Sequence, residues 1–360
     1  MDEAEASVRA AVEAAEQMAG ERIDQVVVNI SGGKALSHIL EVEVAVDGHQ
    51  IDGADVRRIL DYARRQQNTG ERELLHCIPI GYAIDGSNGI RDPRGMFGGK
   101  LGVRIHVVDA LAGAIRNLRL VVERCHLEVE AVVVSPYAAG LACLVEDEKE
   151  LGVTCIDMGG GTTSLAVFEH GQIIHVATMP IGGQHVTGDI AKGLSTPVVN
   201  AERLKTLYGS VIPSPTDSRE ILKVPLVGED DDSAASQVPR SMLVQIIQPR
   251  IEETFELVRS HLESHGLTKA AGRLVVLTGG ASQLQSVREA ASQILDKQVR
   301  LGRPQGIKGL AEATGGPSFA TCAGLLRYAA HLHADAPAKA PVEKRASRFG
   351  RLGEWLRHNF

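Results

Sequence analysis

No stretch of this chain is long and apolar enough to cross a bilayer. The longest charge-free apolar run, Ala131 to Val145, has 15 residues and is interrupted by Ser135-Pro136, whereas a spanning helix needs about 20. It reads instead as a buried strand followed by a buried helix. An excess of basic charge is also missing: 38 Lys and Arg stand against 45 Asp and Glu, for a net charge of -7. That balance argues against a nucleic-acid partner, which needs a concentrated basic face; one short basic stretch near the C-terminus is the exception. The five cysteines, Cys77, Cys125, Cys143, Cys155 and Cys322, are odd in number and form no Cys-x-x-Cys pair. They read as reduced core residues of a cytosolic protein. The opening Met1-Asp2-Glu3-Ala4-Glu5 has neither a basic segment nor a following apolar core, so no secretory signal is expected and the chain is expected to stay in the cytoplasm. What remains is ordinary for a globular protein: 360 residues, 44% apolar and 23% charged, enough for two or three compact units with their own cores.

The stretch around which these units are organised runs from Val153 to Phe168, where an apolar run meets Asp157-Met158-Gly159-Gly160-Gly161-Thr162-Thr163 and a second apolar run follows. It predicts strand, glycine turn, strand. Glycines let backbone N–H groups converge on a phosphate, the threonines add hydroxyl donors, and Asp157 is placed to hold the water shell of a magnesium ion. A P-loop is excluded because no Gly-Lys-Ser/Thr follows. A dinucleotide fingerprint is disfavoured because the glycines lead into the β-prone Leu165-Ala166-Val167-Phe168 rather than a helix. Taken alone, the stretch reads equally well as a glycine-rich hairpin turn without a ligand.

In chain order, residues 1–20 predict an amphipathic helix and 24–30 a strand. From Leu36 to His106 short alternating strands surround one helix, Ala54 to Gln66, as in a small inserted module with turn-rich loops. A helix is expected over 109–125, a strand over 130–134, and a helix of small residues over 136–144. A second small-residue segment, Ser318 to Leu326, reads as its partner, and the two suggest a hinge between lobes; tight core packing is the alternative. Glu202 and Lys205 share a helix face, usually the mark of a solvated ion pair. The run Glu229-Asp230-Asp231-Asp232 reads as an acidic surface loop, since it lacks calcium-ligand spacing. His261 and His265 lie one turn apart on a long helix, with no third metal ligand near them in sequence. Finally, Arg273 to Leu277 predicts a buried strand entering Thr278-Gly279-Gly280-Ala281-Ser282 and then a helix, a turn that leaves room for a flat group against the backbone. Two such turns suggest phosphate at one and a nucleoside at the other.

At these residues the chain resembles the superfamily of actin, the heat-shock chaperones and the sugar kinases, and within it the FtsA family of bacterial cell-division actin homologues. Asp157 to Thr163 is similar to the superfamily's second phosphate motif, Leu277 to Ser282 to its adenosine motif, and the helices at Pro136 and Ser318 to its connecting helices. Glu202 and Lys205 match the pair beside ribose and adenine. The segments Ile78 to Gly86 and Gly89 to Met96 resemble the subdomain that FtsA carries in an unusual place. The resemblance implies an α/β, actin-like two-lobe ATPase fold with ribonuclease H-like lobes. It divides the chain into a first lobe (1–35 and 107–148), an inserted subdomain (36–106), a second-lobe core (149–182 and 273–316), an upper subdomain (183–272), a closing helix (317–333), a linker (334–345) and an amphipathic helix (346–360). It also implies ATP with magnesium, at most weak ATPase activity, self-association into filaments, the C-terminal tail of FtsZ as a partner, and later division proteins recruited through 36–106. The expected place is the cytoplasmic face of the inner membrane at the septum. On the long helix, Arg250 and Arg259 are candidates for the FtsZ peptide, or simply a solvated face. One departure stands out. The superfamily's first strand and first phosphate hairpin have no match here, and the opening helix favours a start codon assigned downstream of the true one over loss of half the phosphate site. As written, weak nucleotide affinity and an open edge on the first lobe's sheet are expected. A PilM-like pilus-assembly homologue and a superfamily phosphotransferase are the rival readings.

The C-terminus can be read without the resemblance. Phe349, Leu352, Trp355, Leu356 and Phe360 recur at three- and four-residue spacing, and Trp355 is the chain's single tryptophan. Around them stand Lys344, Arg345, Arg348, Arg351 and Arg357, against Glu343 and Glu354. Such a basic amphipathic segment on an otherwise acidic protein suits anionic membrane lipids, at about 1 kcal/mol per basic residue near the surface. Ala334 to Pro341, rich in alanine and proline, separates it from the body as a flexible tether.

Overall fold

Parallel strands need long crossovers, whereas antiparallel ones can follow directly through a turn, and both patterns occur in this chain. The computed structural model describes residues 1–66, 70–228, 236–309 and 312–335. The acidic run at 229–232, the tether from 336 onward and the amphipathic segment at 346–360 lie outside the described residues. The chain begins with α1 (Asp2–Ala19) and β1 (Gln25–Ile30), followed by β2 (Leu36–Ala45), α2 (Gly53–Gln66), β3 (Arg72–Ile84), β4 (Ser87–Ile90) and β5 (Lys100–Leu111). Next come α3 (Ala112–Arg124), β6 (Glu128–Val134), α4 (Ser135–Cys143), α5 (Glu146–Leu151), β7 (Val153–Met158), β8 (Thr163–Glu169) and β9 (Gln172–Met179). The remainder is α6 (Gly183–Gly193), α7 (Val198–Tyr208), β10 (Ile221–Val224), β11 (Ser236–Pro239), α8 (Arg240–Ser264), β12 (Leu274–Thr278), α9 (Val287–Leu295), β13 (Gln298–Leu301) and α10 (Ala320–Asp335).

The second lobe is built on a five-stranded sheet in the order β13-β12-β7-β8-β9. Strands β7, β8 and β9 form an antiparallel meander, and β12 and β13 run parallel to β7. Side chains alternate across the sheet. Ile156, Met158, Leu165, Val167, Val275 and Leu277 face a core closed by α8, which buries Leu243, Ile247, Ile251, Phe255, Val258 and Leu262 there. Val153, Cys155, Ala166, Phe168 and Val276 face the opposite way, onto a core shared with α4 and the first lobe. In that first lobe β1 pairs in parallel with β6 alone among the described strands. Its Val26, Val27 and Val28 are half-buried.

The inserted sheet has the order β2-β5-β3-β4 and is antiparallel throughout. Its strands are longer than the short alternating ones expected, with β3 at 13 residues and β5 at 12, because β5 pairs along its length with both β2 and β3. The helix expected from Asp109 accordingly starts only at Ala112. Asp109 completes the ladder opposite Leu36 and Leu74 and takes an ion pair from Arg72, so pairing and charge overrule its helical pattern. The insert also touches the second lobe. The Val176 N–H donates to Ser37 Oγ at 3.1 Å, and Arg91 pairs with Glu150 at 2.8 Å.

Three histidines are buried neutral in this body. Burial pushes His76 down to about 4 and His175 down to about 4, while His106, buried beside His175, His76 and His38, falls to about 3. Their folded-state values lie below the ordinary imidazole value near 6.5, so the unfolded chain takes up protons that the folded one excludes. Stability is therefore full above pH 6.5 or so and falls as the pH drops from there toward about 3 to 4. Thermal unfolding between pH 7 and pH 4 is expected to show this decline, and His175→Gln to make it shallower than in the parent chain.

Candidate functional site

The two glycine turns meet because β12 lies beside β7. In that parallel register Leu277 stands opposite Ile156 and Thr278 opposite Asp157, so the chain leaves both strands at the same end of the sheet. The β7–β8 hairpin closes with the Gly159 N–H donating to the Thr162 carbonyl at 2.9 Å. The N–H groups of Gly160, Gly161 and Thr162 donate to no backbone carbonyl among the described residues. Gly160 and Gly161 are exposed and Thr162 half-exposed, which leaves a run of open donors at the turn, the arrangement that binds an anion. The Thr163 hydroxyl is buried without a hydrogen-bond partner.

Helix α6 abuts this hairpin. The N–H groups of Gly183 and Gln184 donate to the carbonyls of Gly159 and Gly160 at 3.0 and 2.8 Å. A side chain at Gly182 would collide with the carbonyls of Gly160 and Gly159, 2.6 and 2.7 Å from its Cβ. The helix terminus thus braces the hairpin, and its first donors are used in doing so.

Asp157 follows the parity of Val153 and Cys155 and faces α10. There the Thr321 hydroxyl donates to its Oδ2 at 2.9 Å. Burial raises the Asp157 pKa, and the Thr321 hydrogen bond partly offsets it. Across from it, Gly279 has φ +85°, and a Cβ there would fall 2.4 Å from Asp157 Oδ1. The Gly279 N–H donates to the Pro317 carbonyl at 3.1 Å and the Ser282 hydroxyl to the Gly279 carbonyl at 2.7 Å. Gly280 is exposed at the turn. Lys205 Nζ donates to Glu202 Oε2, Thr187 Oγ1 and the Gly183 carbonyl at 2.7, 2.9 and 3.1 Å. Burial tends to raise the Glu202 pKa, but the bonds from Lys205 and Thr187 outweigh it and hold the carboxyl below its ordinary range. Ala281 lies against Gly183, 3.2 Å from where a Cβ would stand.

The structure therefore brings Asp157, Gly159, Gly160, Gly161, Thr162, Thr163, Glu202, Lys205, Gly279, Gly280, Ala281 and Ser282 together at one end of the second lobe's sheet. It adds Gln184, which lies over Gly160, together with Thr187 and Thr321. Thr187 had a signal, being one turn beyond Gly183 on a glycine-started helix. Thr321 had none. Arg250 and Arg259 are elsewhere: Arg250 pairs with Asp189 at 2.6 Å and Glu253 at 2.6 Å, and Arg259 donates to the Ile294 carbonyl at 3.1 Å. The third histidine missing from the sequence around His261 and His265 is His175 on β9, whose Nε2 lies 2.9 Å from His261 Nε2. His265 stacks on His261 with centroids 4.0 Å apart. Even so, no group of three or more His, Cys, Asp or Glu among the described residues is arranged to hold a metal ion.

Residues 154–324 match the family model for cell division protein FtsA, and residues 32–109 match the model for the SHS2 domain inserted in FtsA. The chain is 45% identical to the cell division protein FtsA of Rhizobium meliloti (strain 1021), over all of this chain and 82% of that protein. The identity to the FtsA of Pseudomonas aeruginosa is 36%, over 98% of this chain and 86% of that one. This chain belongs to the FtsA family of cell division proteins. Among solved structures it is similar to the PilM-PilN type IV pilus biogenesis complex, with a TM-score of 0.60 and 17% identity over 89% of this chain and 84% of that one. That likeness shows the actin-like fold. Helices α4 and α10 are packed so closely that a Cβ at Gly324 would stand 1.8 Å from the Ala138 carbonyl oxygen.

Those contacts set the cost of a methyl group. Gly279→Ala and Gly324→Ala are each expected to lower stability by about 2 kcal/mol or more, from left-handed strain plus overpacking in the first case and backbone collision in the second. Gly280→Ala, with open space at its Cβ, should leave the unfolding midpoint within error of the parent.

Proposed function

We propose that this chain is a division scaffold that holds the FtsZ ring to the cytoplasmic face of the inner membrane at the septum. The observation that carries the nucleotide half of this reading is the meeting of the two glycine turns around Asp157. The residues fit ATP with magnesium: the free N–H groups of Gly160, Gly161 and Thr162 suit phosphate oxygens. Asp157 Oδ2 is held by Thr321, leaving Oδ1 toward the turn for the water shell of Mg²⁺. Lys205 and Glu202 stand where ribose and base would lie against Gly279, Gly280, Ala281 and Ser282. Bound Mg²⁺ would neutralise phosphate charge. No group among these residues is placed as a base toward a second substrate, which favours a scaffold with at most weak ATPase activity over a phosphotransferase.

The membrane half rests on sequence. The segment with Phe349, Leu352, Trp355, Leu356 and Phe360 among Arg348, Arg351 and Arg357 would lie in the interface of anionic lipids. No helix among the described residues is long and apolar enough to cross a membrane. The second lobe would take the C-terminal tail of FtsZ, with α8 as one docking face, although Arg250 and Arg259 are already engaged within the lobe. Residues 36–106 would recruit later division proteins, and nucleotide in the cleft would favour self-association into filaments. A PilM-like role shares the fold, and lipid binding separates the two.

Deleting residues 349–360 is expected to abolish co-sedimentation with liposomes containing anionic lipid; unchanged co-sedimentation removes the tether from the proposal. In calorimetric titration with ATP, affinity is expected to be weak and to rise with Mg²⁺, and Asp157→Asn to remove that Mg²⁺-dependent increment while leaving Mg²⁺-free binding in place. Equal loss in both conditions would assign Asp157 to folding instead.

A further inference from the structure

Where the inserted sheet meets the two connecting helices there is a cavity of about 230 Å³, away from the nucleotide cleft. Its walls include Arg64 from α2, His76 and its neighbours from β3, Tyr137 from α4 and Tyr328 from α10. His76 is only 4% exposed. The Val134 N–H donates to its Nε2 at 3.1 Å, so that nitrogen carries the lone pair. Burial keeps the ring neutral, and its proton therefore sits on Nδ1.

No acceptor among the described residues takes that Nδ1–H, and the hydroxyls of Tyr137 and Tyr328 make no hydrogen bond there either. The three rings hold one another edge to face, with centroids 5.2, 6.0 and 6.2 Å apart. Arg64 adds a formal positive charge, and no Asp or Glu is among the described residues that line the cavity; Arg64 makes a loose 3.6 Å contact with Asp61 at the surface and a hydrogen bond with the Cys77 thiol beside it. Every unmatched polar group is thus a donor, or in the case of the phenols can be one. A cavity lined by donors that face its open space is complementary to the oxygens of an anion. One guanidinium matches one negative charge, and the apolar walls of Leu74, Leu75 and Ile78 suit a hydrocarbon part.

We propose that this cavity is a carboxylate-binding site, taking the carboxylate of a small organic acid or of a peptide chain end. Tyr137 and Tyr328 sit on the two helices that pack at Ala138 and Gly324, so a ligand held between them and Arg64 ties the insert to the hinge.

The test is a calorimetric titration of the full chain with acetate, with benzoate, and with a short peptide bearing either a free or an amidated C-terminus, followed by nitrogen NMR of His76. Saturable binding of benzoate supports the site with a small acid as its source. Binding of the free-ended peptide alone supports it with a chain end as the source. In either case His76 Nδ1–H should shift, Arg64→Gln should weaken binding roughly tenfold or more, and Tyr328→Phe, which keeps the ring, by roughly threefold. Absence of saturable binding by all carboxylates overturns the proposal and leaves a hydrated cavity. Equal binding of the amidated peptide, tighter binding of inorganic phosphate than of benzoate, or unchanged affinity in both variants when their melts match the parent also overturns it.

Discussion

The pairing of β12 with β7 is the constraint on which the rest of the second lobe depends. A parallel pair cannot be closed by a hairpin, so after adding β8 and β9 the chain must leave the sheet and return before β12. On that excursion it supplies α6, α7 and α8, which cover one face with the large core centred on Ile247, Ile251 and Phe255. The register fixes Thr278 opposite Asp157, and a slip of one residue would turn Asp157 from the side of α10 to that of α8. Both glycine turns then emerge together at the same end of the sheet.

Alternation along β7 also explains why the two glycine turns are joined to α10. Asp157 shares the face of Val153 and Cys155, the face on which α4 and α10 pack. Thr321 from α10 reaches its carboxylate, and Pro317, just before that helix, takes the Gly279 N–H. The Thr278 hydroxyl donates to the same Pro317 carbonyl and to that of Gly302, both at 3.2 Å. The start of α10 is therefore stitched to the Gly279 turn and to Asp157 at once. Its second turn packs on α4 through Gly324, where the missing side chain lets the backbones touch.

The two lobes are unequal within the described residues. The second has five strands, while in the first β1 and β6 stand as a parallel pair. All the cleft residues gathered here come from the second lobe and from α10. The insert, meanwhile, brings His106 and Ser37 against β9, so that buried neutral imidazoles accumulate where the insert meets the second lobe.

The glycine hairpin at Gly159 to Gly161 and the Gly279-Gly280 turn were legible in the sequence because glycine between apolar runs is a local signal. The same holds for the small-residue helices and for the strand and helix periods of β7, β8 and α8. The FtsA family, too, could be read from those motifs. What sequence could not decide was which groups share a space. Asp109 has a helical neighbourhood but pairs across a sheet with Leu36 and Leu74; Arg250 looks free on a helix but is held by Asp189; His175 stands far from His261 in the chain and touches it in the fold. Thr321 finds Asp157, and His76 is left with an unmatched proton among Tyr137, Tyr328 and Arg64. Local pattern determined the elements, because backbone preference and burial period act within a few residues. Tertiary structure decided the partners, because a hydrogen bond or a shared cavity depends on sheet register and helix packing, which only the assembled chain sets.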